Sequence, residues 1–368
     1  MEGRMSMTRI SRRALATGSA ALAIPAIAQS RRKVTLVYGV QTIDSAADGF
    51  FSSIPIGLGF YADEGLEVDI QAVGGAAAAV NLLASGRGDF TTHGTAGLFA
   101  GVDKGVPMKG FICQIPDYFL SIGVDRNGPV KTLADLKGRT IGVPAMSGSP
   151  MVVTKAALKI QGLDPDRDAE FIAVGTGVPA LDAMRRGRVQ ALVAWDSVFA
   201  LFEFHGGEFR YFRPDPLPSL GFTHTTNTLV STLEKDPQLP LGLGRAMIKS
   251  IVYMAAAPTE ELTKLHFKVF PAARSASLSE AEAFRLDALR QKARLAFMRP
   301  EQRVFKRTEP LGDATDAEII GQRELLLTGG EVKNTLPADA YFTRQFIGEY
   351  NKLDVPGLVE KARALRVR

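Results

Sequence analysis

The chain has 368 residues, 46% of them hydrophobic and 23% charged, with a single cysteine. That composition excludes a disordered chain and a disulfide-stapled one, and the length predicts two domains or one large two-lobed unit. A formal charge of +5 invites an acidic partner, nucleic acid included, so the placement of the basic residues comes first.

Residues 1–28 hold Arg4, Arg9, Arg12 and Arg13 against one acid, Glu2, which leaves the rest of the chain at +2. Ser11-Arg12-Arg13 precedes an apolar run ending in Ala26-Ile27-Ala28. A basic start, a short apolar core and an A-x-A ending predict an export signal cleaved after Ala28. The run is shorter than the ~20 residues of a membrane span. The paired arginines resemble the twin-arginine signal, with an ordinary secretory leader as the alternative. The expected product is a soluble periplasmic protein. Cys113 lies far from the cleavage site, so no lipid anchor is expected. Basic patches do not interleave with aromatics, so no nucleic-acid partner is expected.

Residues 33–40 alternate polar and β-branched types and predict a strand, followed by a loop over 41–49 and a helix over 50–63. Residues 67–73 alternate again. Gly74-Gly75 turns the chain, 76–85 predict a short helix, Gly86-Arg87-Gly88 stops it, and a strand starts at Asp89. The same order recurs: a strand over 139–143, a helix opened by Ser147-Gly148-Ser149-Pro150 and running to Ile160, a strand over 170–174, a turn at Gly175, a helix over 179–186, a stop at Gly187-Arg188 and a strand over 189–194. Gly74 and Gly175, Gly86 and Gly187, and Arg87 and Arg188 are each 101 positions apart. Two similar α/β lobes are predicted.

Between the repeats, 119–125 is strand-like and 132–138 predict a short capped helix. Pro214, Pro216 and Pro218 interrupt the pattern, and 222–230 read as extended. The chain is expected to cross into a second lobe near 120 and return near 220, giving lobes of 29–120 plus 223–368 and of 121–222. The rest predicts helices over 243–256, 259–268, 279–297, 316–327 and 338–350, packed on the first lobe. Ser279 with Glu282 forms a capping-box pattern.

Catalytic and metal signals are weak. His93, His205, His224 and His266 show no metal-ligand spacing, and one cysteine cannot build a Cys–His cluster. Gly175-Thr176-Gly177 lacks the third glycine of a dinucleotide motif and reads as a turn. No catalytic residue, metal or cofactor is expected, and the chain is not expected to be an enzyme.

Gly57-Leu58-Gly59-Phe60-Tyr61-Ala62-Asp63-Glu64-Gly65-Leu66-Glu67-Val68 resembles the opening of periplasmic substrate-binding proteins of ABC importers, of the nitrate, sulfonate and taurine type. Leu83-Ala84-Ser85-Gly86-Arg87-Gly88-Asp89-Phe90, residues 135–143, Gly187-Arg188-Val189-Gln190-Ala191 and Trp195-Asp196 are similar to it in the same order. The resemblance runs from about 34 to 230. It implies a type II two-lobed α/β fold, with a mixed sheet flanked by helices in each lobe, two hinge strands and a ligand cleft between the lobes. The implied partners are a small-molecule ligand and a membrane ABC permease, with the binding protein itself a monomer.

The elements locate a cleft on their own terms, because ligands of open α/β sheets sit beyond the carboxyl ends of strands. Those ends lead to Gln41, Thr42 and Asp44; to His93, Gly94 and Thr95; to Ser147, Gly148 and Ser149; and to Trp195 and Asp196. Ser147 and Ser149 at a helix start suit an anionic oxygen, or Ser149 merely caps the helix. Trp195, the only tryptophan, stacks on a flat ligand or fills the core. Asp196 accepts from the ligand or bridges the lobes on closure. His93 donates to the ligand or is a satisfied loop histidine. Thr225 and Asn227 on the returning segment bind the ligand or belong to the sheet. An organosulfonate or aromatic acid is the favoured ligand, and a pyrimidine thiamine precursor is the alternative. A secreted ligand sensor is a second role. A pyrimidine-synthesising enzyme of the same fold is disfavoured by the lone cysteine and the leader.

Overall fold

Two five-stranded mixed sheets, each with inner strands buried for most of their length, are described here by a computed structural model over residues 31–368 apart from Asp44 and Ser147. The predicted export signal, Asp44 and Ser147 lie outside the described residues.

The chain runs through β1 (Arg32–Tyr38), α1 (Ser53–Gly57), α2 (Phe60–Asp63), β2 (Leu66–Ala72), α3 (Ala76–Ala84), β3 (Phe90–Gly94), α4 (Thr95–Asp103) and β4 (Met108–Ile115). It crosses to β5 (Leu120–Asp125), β6 (Arg139–Val143), α5 (Ser149–Ile160), β7 (Ala169–Ala173), α6 (Val178–Arg185), β8 (Ala191–Trp195), α7 (Asp196–Phe204) and β9 (Phe209–Phe212). It returns as β10 (His224–Leu229) and continues as α8 (Val230–Lys235), α9 (Gln238–Ala256), α10 (Thr259–Val269), α11 (Glu280–Leu295), α12 (Asp316–Gly329), α13 (Ile347–Tyr350) and α14 (Val355–Arg363).

The first sheet has the order β2-β1-β3-β10-β4 and the second β7-β6-β8-β5-β9. In each, the fourth strand is the one on the far side of a crossing: β10 runs antiparallel to β3 and β4, and β5 antiparallel to β8 and β9. The 101-residue offset continues past the part legible in the sequence, since α4 and α7 start at Thr95 and Asp196, and β4 and β9 at Met108 and Phe209. Gly86 and Gly187 share a left-handed backbone, with φ of 69° and 70°. A Cβ is unfavourable there, which explains why both turns use glycine.

Several expectations differ from the structure, among them the capped helix expected over 132–138, which is a 3₁₀ turn at Ala134–Leu136 without a side-chain cap. The helix expected over 50–63 is two short helices, parted at Gly59, whose φ of 78° leaves the helical region. The helix expected over 338–350 is a 3₁₀ turn at Ala338–Ala340 and the short α13. Between them the backbone serves the outer edge of β4: Gly110 N–H donates to Tyr341 O at 2.8 Å and Thr343 N–H to Gly110 O at 2.9 Å. An edge strand with unpaired amides takes partners from a distant segment and overrides local helix propensity. Finally, the C-terminal helices do not pack on the first sheet alone. α11 lies on α7 and α12 on α5, both helices of the second sheet. Gly329 makes room for the latter contact, since a Cβ there would stand 3.2 Å from Ala156 Cβ.

A cavity between the two sheets

The carboxyl ends of β1 and β3 in the first sheet, and of β6 and β8 in the second, open on one cavity of about 440 Å³. Its opposite walls are the two repeat turns, Gly74-Gly75 after β2 and Gly175-Thr176-Gly177 after β7. Three helices, α3, α5 and α6, begin at the wall with glycine N-caps, Gly75, Gly148 and Gly177, and α4 and α7 begin there too, after Gly94 and Trp195. First-turn amides have no partner within their own helix, so these starts offer N–H donors and a positive dipole end. Tyr38, Phe119 and Trp195 supply aromatic surface.

Of the residues expected at the site, Gln41, Thr42, His93, Gly94, Gly148, Ser149 and Trp195 line the cavity. Four described ones stand elsewhere. Thr95 is buried beside the sheet, its Oγ1 donating to Phe222 O at 2.8 Å. Thr225 and Asn227 are fully buried within β10: Thr225 Oγ1 donates to Asn227 Oδ1 at 2.8 Å, and Asn227 Nδ2 donates to Thr91 Oγ1 at 3.3 Å. Central-strand polar groups must find partners inside the sheet, and these two find each other and β3.

Asp196 is engaged by Arg294 of α11. Arg294 Nε donates to Asp196 Oδ2 at 2.8 Å and Nη2 to Asp196 Oδ1 at 2.9 Å, while Nη1 donates to Asp48 Oδ1 at 3.0 Å. Tyr38 OH donates to the other Asp48 oxygen at 2.9 Å. Arg294 is only 2% exposed. Burial works against its charge, but the Asp196 and Asp48 carboxylates outweigh that and raise its pKa above the ordinary guanidinium value. Arg294 thereby joins the start of α7 in the second sheet to the segment following β1 in the first.

Residues 56–261, more than half of the chain, match the NMT1/THI5-like family model. The chain belongs to the NMT1/THI5-like family. No curated protein matches it. Among solved structures, a protein of Bordetella bronchiseptica RB50 is 20% identical with a TM-score of 0.66, over 87% of this chain and 97% of that one. The periplasmic aliphatic sulphonate binding protein SsuA of Escherichia coli is 17% identical with a TM-score of 0.61, over 85% and 92% of the two chains. The alkanesulfonate-binding protein SsuA of Xanthomonas axonopodis pv. citri, solved with MOPS bound, is 15% identical with a TM-score of 0.59, over 84% and 98%. At these identities the likeness is one of fold, the two-lobed architecture of periplasmic binding proteins.

Several cavity residues of this NMT1/THI5-like chain escaped sequence reasoning: Tyr38, Asp48, Phe119, His224 and Arg294. Arg294 reaches the cavity from a C-terminal helix, and no local motif marks it. The glycine turn 175–177 had a signal, its 101-residue match to the Gly74-Gly75 turn. Among the described lining residues only Asp48 and Arg294 carry formal charge at neutral pH. His93 is buried, and burial lowers its pKa to about 4 against the opposing hydrogen bond to Gly94. His93 Nδ1 stands 3.0 Å from Gly94 O, so it carries the proton and the neutral ring keeps its Nε2 lone pair. Burial likewise holds His224 well below the ordinary histidine value, with the charge of Arg294 adding to the effect.

Ser149 and Gly94 touch across the gap between the sheets: a Cβ on Gly94 would overlap the Ser149 side chain. Ser149 Oγ and His93 Nε2 are buried without a hydrogen-bond partner among the described residues. The described residues contain no cluster of three His, Cys, Asp or Glu placed to hold a metal. Among them, no helix is long and apolar enough to cross a membrane.

Proposed function

We propose that this protein is an extracytoplasmic solute-binding protein, which captures a small organic molecule in the cavity between its sheets and delivers it to an ABC permease. One observation carries the reading. Equivalent strand ends and helix starts of two repeated units face each other across one aromatic-walled cavity. That arrangement suits a ligand gripped from both sides. The family match and the sulfonate-binding fold relatives support it.

The favoured ligand is an organosulfonate or an aromatic or other organic acid. Its anionic oxygens would sit at the starts of α3, α5 and α6, where each dipole contributes about 0.3–1 kcal/mol, and more when buried. Its body would lie against Tyr38, Phe119 and Trp195. A pyrimidine thiamine precursor is the second reading. It is favoured by the neutral imidazoles and by the pairing of the lining guanidinium with two carboxylates. We read the chain as a binder rather than an enzyme, exported to the periplasm without a lipid anchor and acting as a monomer. The bodies that close on the ligand would be 29–120 with 223–368, and 121–222, hinged at the two crossings.

Isothermal titration of the mature chain against sulfonates, aromatic acids and pyrimidines tests this. Saturable binding by at least one class is expected. A correctly folded protein that binds none of them would overturn the reading.

A further inference from the structure

Besides Ser149 Oγ and His93 Nε2, two more polar groups in the cavity are left with one unmet valence each, and they have opposite character. Arg294 has five N–H donors. Its Nε–H and both Nη2 hydrogens go to Asp196 and Ser197, and one Nη1 hydrogen goes to Asp48. The second Nη1 hydrogen has no partner among the described residues, and Arg294 lines the cavity.

His224 lines it too. Gln114 Nε2 donates to Thr226 Oγ1, which turns the amide oxygen of Gln114 towards His224 Nδ1, 3.5 Å away. An oxygen facing Nδ1 calls for a proton there, so in the neutral ring Nε2 is a bare acceptor. That Nε2 has no partner among the described residues either. Both groups stand near one ring: the Arg294 guanidinium carbon is 5.3 Å from the Phe119 centroid, and the His224 ring is 6.5 Å from it. Both are held in place. Arg294 is fixed by two carboxylates, and His224 is 7% exposed with its ring perpendicular to that of Phe50, centroids 6.0 Å apart.

We propose that Arg294 and His224 together read a donor–acceptor edge on the bound molecule, an acceptor atom taking the remaining Nη1 hydrogen and a neighbouring N–H or O–H donating to His224 Nε2. The inference rests on the solute-binding reading of the same cavity and narrows its ligand class. The matching chemistry is a planar lactam, carboxamide or amidine edge lying beside Phe119. A plain carboxylate or sulfonate carries acceptors only. It would satisfy Arg294 and the helix starts but cover the His224 lone pair that opens on the cavity and leave it unmet. The ligand that meets Arg294, His224 and the helix starts is a ring with an acid substituent and a lactam edge.

The test uses the mature chain and defined probes: orotate and 6-oxo-1,6-dihydropyridine-3-carboxylate, their ring N-methyl derivatives, and benzoate and benzenesulfonate. Calorimetry is expected to show each lactam acid binding at least about tenfold more tightly than its N-methyl form and than benzoate, the cost of one unmet buried polar group. His224→Phe keeps a ring of similar shape and is expected to erase the preference for N–H over N-methyl. Should that variant fail to fold, the methyl comparison on the unaltered chain still decides. Benzoate or benzenesulfonate binding as tightly as the lactam acids would overturn the proposal and leave the solute-binding reading standing. N-methyl forms that bind as tightly as their parents would overturn it equally. Silence from every probe, acids and lactams alike, would count against both.

Discussion

A guanidinium taken out of water is tolerable only with its charge matched and its donors met, and Arg294 has two carboxylates for the purpose. Removing the cation strands them. Arg294→Met is therefore expected to lower the unfolding free energy by about 3–5 kcal/mol, read from the midpoint of urea unfolding. An unchanged midpoint would show that the triad contributes nothing to the fold. The second residue-scale expectation concerns acid. His93 is neutral in the folded protein, with a pKa near 4, while an unfolded histidine titrates near 6.5. The unfolded chain thus binds the extra proton in that window. The stability that His93 supplies is complete above about pH 6.5 and is lost as pH falls towards 4, with roughly 2 kcal/mol gone by pH 5. Melting temperatures at pH 7 and pH 5 should differ less for His93→Gln than for the unaltered chain. Parallel curves would assign the acid sensitivity elsewhere. Sequence placed His93 correctly at a strand end, because strand ends are local. Arg294 was invisible, because its partners stand 98 and 246 positions away and nothing in its own helix marks it.

Several elements followed local signals in the sequence. β6 spans the expected 139–143, and the capping box at Ser279 and Glu282 is formed, with Glu282 N–H donating to Ser279 Oγ at 3.3 Å. The repeat was legible because its turns need glycine. The strand-edge segment at 341–343 was not, because the need it serves belongs to β4, more than two hundred residues earlier. The contact between the end of β3 and the start of α5 gives a test at this scale. Gly94→Ala would drive its methyl into Ser149, and since the backbone at Gly94 is ordinary for any residue, the clash is the whole effect. A loss of about 1–3 kcal/mol is expected for an overpacked contact. Ser149→Gly should restore most of it, because Ser149 Oγ has no hydrogen bond to lose. Additive losses in the double variant would mean that the two positions do not meet in solution.

At the scale of the molecule, the proposed hinge predicts a change of shape. Small-angle scattering should report a smaller radius of gyration with a bound solute than without, and identical profiles would exclude domain closure. α11 is the element to watch, since it lies against α7 while Arg294 ties Asp196 to Asp48. The strand order also dictates a sequence of assembly. β5 to β9 form one uninterrupted stretch of chain, so the second sheet has every strand once residue 212 exists. The first sheet must wait for β10, which fills the place between β3 and β4. Closing that gap means joining segments more than a hundred residues apart, a slow step for a folding chain. As each copy is made from its N-terminus onward, the segment born in the middle is the first that can settle. β1, first out, is among the strands of the sheet that completes last, and a copy cut short before His224 would keep β3 and β4 apart for its whole lifetime.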